Sequence, residues 1–135
     1  MRITQYKGPF EVIHQLDRVC FPSDYAVKES GLWWIAWQGG KPVAYAGLKP
    51  SHQWSDAGYL CRVGVIPEFR GKGIQKKLLL KRIEMCKDLG YSYVLTDTRR
   101  NPASENSLIS CGFKLYLPQN PWAFKDSNYW FKDIK

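Results

Sequence analysis

No Cys-x-x-Cys pair and no cluster of histidines interrupts this sequence, and both absences narrow its chemistry. Cys20, Cys61, Cys86 and Cys111 lie far apart, and His14 and His52 are the only histidines. A zinc site needs about four ligands gathered together, so a metal centre is not expected. A disulfide framework does not suit a chain with this much apolar material, and the four thiols read as reduced, in a cytoplasm. The opening Met1-Arg2-Ile3-Thr4-Gln5-Tyr6-Lys7 lacks the apolar run of a signal peptide. No stretch reaches membrane-spanning length. Repeats, low-complexity tracts and linkers are missing too, so residues 1–135 read as a single domain.

What is abundant is aromatic and basic. Aromatics make up 15% of the chain, with six Trp and eight Tyr, enough to line a cleft as well as fill a core. Twenty basic residues against twelve acidic ones leave a formal charge of +8. Such a surface attracts anions: nucleic acid, an acidic protein or a phosphorylated cofactor. The basic residues are scattered and no DNA or RNA motif is present, which argues against nucleic acid.

The periodicities give a mixed order. Residues 2–6 form a short strand. Val12, Ile13, Leu16, Val19 and Cys20 recur at helical spacing after Pro9, and Pro22 stops the pattern. Ser23 or Asp24 then caps a second short helix ending near Gly31. Leu32 to Trp37 is an aromatic strand, Gln38-Gly39-Gly40-Lys41 a hairpin turn, and Pro42 to Leu48 the partner strand. After a loop at 49–57, Gly58 to Val65 is a strand. Gly71 to Leu89 is the clearest helix, with Ile74, Leu78, Leu79, Ile83, Cys86 and Leu89 as its buried stripe. Tyr91 to Thr98 is a central strand, Pro102 to Cys111 a short helix, and Phe113–Leu117 and Asn128–Lys132 are the last strands. The unit over 58–98 is a parallel, right-handed crossover. The fold class is α/β or α+β with a mixed sheet.

Chemistry concentrates in Val63-Gly64-Val65-Ile66-Pro67-Glu68-Phe69-Arg70-Gly71-Lys72-Gly73-Ile74-Gln75-Lys76. A strand ends, Pro67 breaks its ladder, and a glycine turn opens a long helix. The first turn of a helix has free N–H groups and partial positive charge. Gly71 and Gly73 let an anion approach the backbone. Arg70, Lys72 and Lys76 add charge, so a phosphate or pyrophosphate site is expected. It is neither a Walker loop nor a dinucleotide fingerprint.

This stretch resembles the coenzyme A loop of the GNAT acetyltransferases, Gln/Arg-x-x-Gly-x-Gly/Ala after Val-x-Pro-Glu-Tyr/Phe. Arg70 and Gly73 match, and Gln75 stands where Gly or Ala is usual. Asn101-Pro102-Ala103-Ser104 through Gly112-Phe113 is similar to the family's Asn-x-x-Ala/Ser … Gly-Phe block. The resemblance covers roughly residues 30–115. It implies a centrally splayed sheet flanked by helices, with acetyl-CoA as cosubstrate. The cofactor would lie on Val63, Gly64, Val65, the Arg70–Lys76 loop (Ile74 included), Asn101 and Ser104. Gly64 suits a bulge or close approach in that strand. One strand amide would serve as oxyanion donor.

The acceptor implied is a primary amine on a small molecule or a protein, and a base must take its proton. Asp97, near the end of the strand beside the cleft, is the first choice; its alternative is a solvated or capping carboxylate. Glu29, Asp56 and Glu105 are weaker candidates, and His52 reads as incidental. Leu108 stands where many members carry a tyrosine acid, leaving Tyr45, Tyr59, Tyr116 or water in that role. Two other readings stay open: a basic nucleic-acid-binding module, and a catalytically weak GNAT-fold domain that binds coenzyme A or a protein partner. The sequence leaves the oligomeric state open, a dimer included.

Overall fold

A computed structural model describes residues 1–135. Strands β1 (Arg2–Tyr6), β2 (Leu32–Gln38), β3 (Lys41–Pro50), β4 (Ala57–Val65), β5 (Tyr93–Thr98), β6 (Lys114–Tyr116) and β7 (Asn128–Asp133) form one sheet. Its order is β1-β2-β3-β4-β5-β7-β6. Only the β4–β5 pair is parallel. Helices α1 (Glu11–Cys20), α2 (Ile74–Asp88) and α3 (Pro102–Ser110) flank it. The mixed fold and its parallel crossover therefore agree with the sequence reading.

The core forms where apolar strand faces meet the helices. Trp33, Ile35, Val43, Tyr45 and Leu48 of the β2–β3 hairpin are buried with Ile13 and Leu16 of α1 and Leu78, Leu79 and Ile83 of α2. Each such side chain contributes roughly 1.5–3 kcal/mol of burial. The Gln38–Lys41 turn has φ of 56° at Gly39 and 80° at Gly40, the positive values that a tight two-residue hairpin turn requires.

Three expectations need correction. Residues 21–31 contain no helix. Most of them are exposed, and no apolar stripe gives a helix there a face to bury. The long helix begins at Ile74, because Gly71 and Gly73 take left-handed φ of 76° and 77° and so form its entry turn; a single 3-10 turn covers Pro67–Phe69. Leu89 is exposed at the end of α2, outside the buried stripe.

Two charged residues occupy buried helix positions instead. Asp17 of α1 is four residues after Ile13, and Arg82 of α2 is four after Leu78 and four before Cys86, so both fall in phase with the apolar stripes. Both are buried. Asp17 Oδ1 accepts from Arg62 Nη1 at 3.1 Å and from the Tyr45 hydroxyl, while Oδ2 accepts from the Val27 amide at 3.3 Å. His14 Nε2 lies 3.0 Å from the Val27 carbonyl. These bonds replace the expected helix as the fixture that holds residues 21–31 over the sheet.

Candidate active site

The cleft starts from a mismatch between two strands. β4 pairs with β5 only at Ala57–Tyr93, Gly58–Val94 and Tyr59–Leu95. One further link, Thr96 Oγ1–H to the Leu60 carbonyl at 2.9 Å, closes the apex. Beyond it the strands part. On the other edge, β4 takes three steps from Leu60 to Val63 while β3 takes two from Leu48 to Ala46. The extra residue is a β-bulge, which bends β4 and raises its twist.

Register decides which amides face the gap. Ile66 N–H bonds to the Val43 carbonyl at 3.0 Å, and the Tyr45–Gly64 pair has the same parity. Antiparallel pairs alternate between bonded and open positions. Gly64 therefore points its N–H at Tyr45, while Val63 and Val65 point theirs into the fork. The Val65 carbonyl, also facing outward, accepts from Arg70 Nε at 2.9 Å. Gly64 serves packing: a Cβ there would lie 2.5 Å from Tyr45 Cε1 and 3.0 Å from Cys20. The bulge itself falls at 60–63.

The mouth of the fork opens on the glycine turn. The first backbone bond of α2 runs from Lys77 N–H to the Gly73 carbonyl, so the amides of Ile74, Gln75 and Lys76 have no intrahelical acceptor. No side chain caps them. A Cβ placed on Gly71 or Gly73 would meet nothing within 4 Å: open space lies where an anion would approach. Arg70, Lys72 and Lys76 are exposed there, and Lys72 Nζ sits 5.1 Å from the Phe69 ring centre.

Gln75 faces sideways, not toward the turn. Its Nε2–H donates to Ser104 Oγ, tying α2 to α3. The Ser104 amide donates to Asn101 Oδ1 at 3.1 Å, so Asn101 is the N-cap of α3. All three line one cavity of about 700 Å³ with Val63, Asp97 and Leu108. Gly64, Val65 and the Arg70–Ile74 turn lie outside that lining.

Asp97 sits two residues past the last β4–β5 rung. Its Oδ1 accepts from the Tyr59 hydroxyl and from Trp122 Nε1–H at 3.3 Å, and Oδ2 has no protein donor. Burial, then the Asp97 charge, pushes the Tyr59 phenol far above its ordinary value, so Tyr59 remains a protonated donor. Of the three tyrosines weighed as acids, only Tyr59 lines the cavity. Tyr45 donates to Asp17 in the core. The Tyr116 hydroxyl is sealed without a partner among Trp54, Trp122, Tyr129 and Phe131.

The other carboxylates have different employment. Glu105 Oε2 accepts from Thr98 Oγ1 at 2.8 Å and from Asn128 Nδ2 at 2.6 Å. Asp56 accepts from the Ser92 hydroxyl. Neither these nor Glu29 and His52 line the cavity. Sequence reasoning weighed Tyr59 only as an acid, and missed Arg82 as a lining residue and Trp122 as a donor to Asp97. A signal existed for Arg82 in its helical phase; none existed for Trp122, which a loop delivers.

The chain matches the model of the acetyltransferase (GNAT) family over residues 4–113. Among solved structures it is similar to the ribosomal-protein-S18-alanine N-acetyltransferase of Escherichia coli, at 17% identity and a TM-score of 0.78, over 98% of this chain and 93% of that one. A Bacillus subtilis acetyltransferase solved with CoA gives 21% identity and 0.77, over 99% of both chains. A candidate acetyltransferase of Salmonella typhimurium, solved with acetyl-CoA, gives 15% and 0.75, over 100% and 95%. At these identities the likeness is one of fold. Among curated protein sequences no significant match is found. The family model spans most of the chain, and on that ground the protein belongs to the GNAT family and is an acetyltransferase with acetyl-CoA as cosubstrate.

Proposed function

We propose that this chain, read as one domain over residues 1–135, moves the acetyl group of acetyl-CoA to a primary amine by direct attack within the fork between β4 and β5. The observation that carries the reading is the short β4–β5 pairing, which leaves the Val63 and Val65 amides facing a gap that leads to an uncapped helix start. The diphosphate would lie on the amides from Gly71 to Lys76, where helix-end N–H groups and the charges of Arg70, Lys72 and Lys76 favour an anion. The pantetheine arm would bond to Val63 and Val65 as an added strand, with Gln75, Asn101 and Ser104 shaping its far wall.

In this reading the acetyl carbonyl accepts from the Val63 N–H. The amine nitrogen attacks the carbonyl carbon, a C–N bond forms, and the oxyanion stays on that donor. Asp97 Oδ2 takes the amine proton, while Tyr59 and Trp122 hold the carboxylate by Oδ1. The C–S bond breaks and the thiolate takes a proton from water, since Leu108 brings no acid to the departing sulfur. The acceptor enters between residues 21–31 and the segment around Phe124, which both line the cavity. Four free thiols suit a reducing cytoplasm. No helix is long and apolar enough to cross a membrane.

A free-thiol assay with acetyl-CoA and a panel of amines tests the proposal. Thiol release that depends on one amine class, and falls in Asp97→Asn with cofactor affinity kept, is the expected result. Cofactor binding without turnover on any amine would favour a binding domain instead.

A further inference from the structure

Arg82 is the one buried cation whose role the transfer reaction leaves open. It projects from α2 onto the β3–β4 bulge and is 3% exposed. Nη1 donates to the Gly47 carbonyl at 3.1 Å and, at the limit of a hydrogen bond, to the Cys61 carbonyl at 3.5 Å; Nε reaches the Leu78 carbonyl at 3.4 Å. No carboxylate pairs with it, and Nη2 has no protein acceptor. The only side-chain polar atom sealed away without a partner is the Tyr116 hydroxyl, so Nη2 is not sealed, and Arg82 lines the cavity. A buried guanidinium without a counter-charge is costly, and a planar donor pair of this kind matches a carboxylate. Burial pulls its pKa down only to about 10, which leaves it charged at neutral pH.

Its position selects the part of a ligand it would meet. Cys61 follows the Leu60–Thr96 link by one residue and precedes Val63 by two, within the bulged stretch of β4. Val63 and Arg82 line the same cavity, so a group anchored at the Val63 amide and continued inward would meet Arg82 on the cavity wall. We propose that Arg82 binds a carboxylate in the cleft, so that one of the two reactants carries one. The carboxylate belongs either to the acyl group, as in the thioester of a short dicarboxylic acid, or to an amino-acid-like amine acceptor. The proposal rests on the reading that the fork holds an acyl-CoA.

Calorimetry and thiol release on the whole chain separate the sources. The donor arm compares succinyl-CoA with butyryl-CoA; the acceptor arm compares amino acids with their amides at saturating acetyl-CoA. The wild type is expected to prefer the carboxylate member at least tenfold in one arm, and that arm names the source. Arg82→Met should reduce the preference below twofold while leaving the neutral member within threefold, and Arg82→Lys should fall between. A residue that only staples the bulge would lower stability and leave the preference ratio unmoved. Wild type that binds acetyl-CoA yet shows no preference in either arm overturns the proposal, as does a preference that survives Arg82→Met. Should Arg82→Met fail to fold, the wild-type ratios and Arg82→Lys decide. Failure to bind acetyl-CoA at all would instead count against the transfer reading.

Discussion

Replacing Gly73 by Asn and, separately, by Asp isolates the charge term at the helix entry. Gly73 holds φ at 77°, and a Cβ there touches nothing within 4 Å. The backbone strain is about 1 kcal/mol for an ordinary residue and smaller for Asn or Asp, which visit the left-handed region most readily. Both variants should therefore fold, and both place similar bulk where the diphosphate approaches. They differ by one negative charge. At a separation of about 6 Å, one charge pair is worth ~0.7 kcal/mol in water and ~3 kcal/mol at an effective dielectric of about 20. Gly73 is exposed, so the water-like end applies, and a doubly charged diphosphate brings the penalty to roughly 1.4 kcal/mol, or about tenfold. Calorimetry with CoA should show Gly73→Asp binding about tenfold more weakly than Gly73→Asn at low salt. The gap should narrow at 1 M salt, where the screening length falls to about 3 Å. Equal affinities for two folded variants at low salt would refute the placement of the diphosphate at this turn.

Further consequences concern the scaffold around the cleft. Asp17→Ala leaves Arg62, the Tyr45 hydroxyl and the Val27 amide without their shared acceptor; a loss of about 3 kcal/mol is expected in urea melts, with faster proteolysis within 21–31. Tyr59→Phe removes one donor from Asp97 at a cost of about 1 kcal/mol and should lower kcat with CoA affinity unchanged, as single-turnover kinetics would show. Gln75→Ala cuts the α2–α3 tie, and differential scanning calorimetry should register a similar loss of about 1 kcal/mol. Burial raises the Cys86 thiol from 9.0 to about 11 and the Cys20 and Cys61 thiols in the same direction. Above pH 9 the unfolded thiols ionise while the folded ones keep their protons, so stability declines from pH 9 toward pH 11. Cys86→Ala should make that decline shallower in pH-dependent melts.

The order of strands and helices was legible because the hairpin glycines, Pro67 and the α2 periodicity act locally. The glycine turn was legible for the same reason, since an uncapped helix start needs no distant partner. What the sequence hid depends on contacts between remote segments. The loop at 21–31 carries plausible helix-capping residues, yet its conformation is fixed by Asp17 on another element. The amides offered to the fork follow from strand register: Gly64 marks close packing on Tyr45, and its neighbours Val63 and Val65 face the gap. Gln75 departs from the family pattern because Ser104, twenty-nine residues on, receives its side chain. Arg82 and Asp17 stood in the buried phase of their helices, the one sign in the sequence that a charge would be enclosed.

The most direct test of the fork is a crystal structure of the chain with CoA. The account predicts the diphosphate on the amides between Gly71 and Lys76, and the pantetheine arm bonded to Val63 and Val65 beside β5. Density for CoA on another face, or a pantetheine arm that leaves both valine amides unbonded, would contradict it.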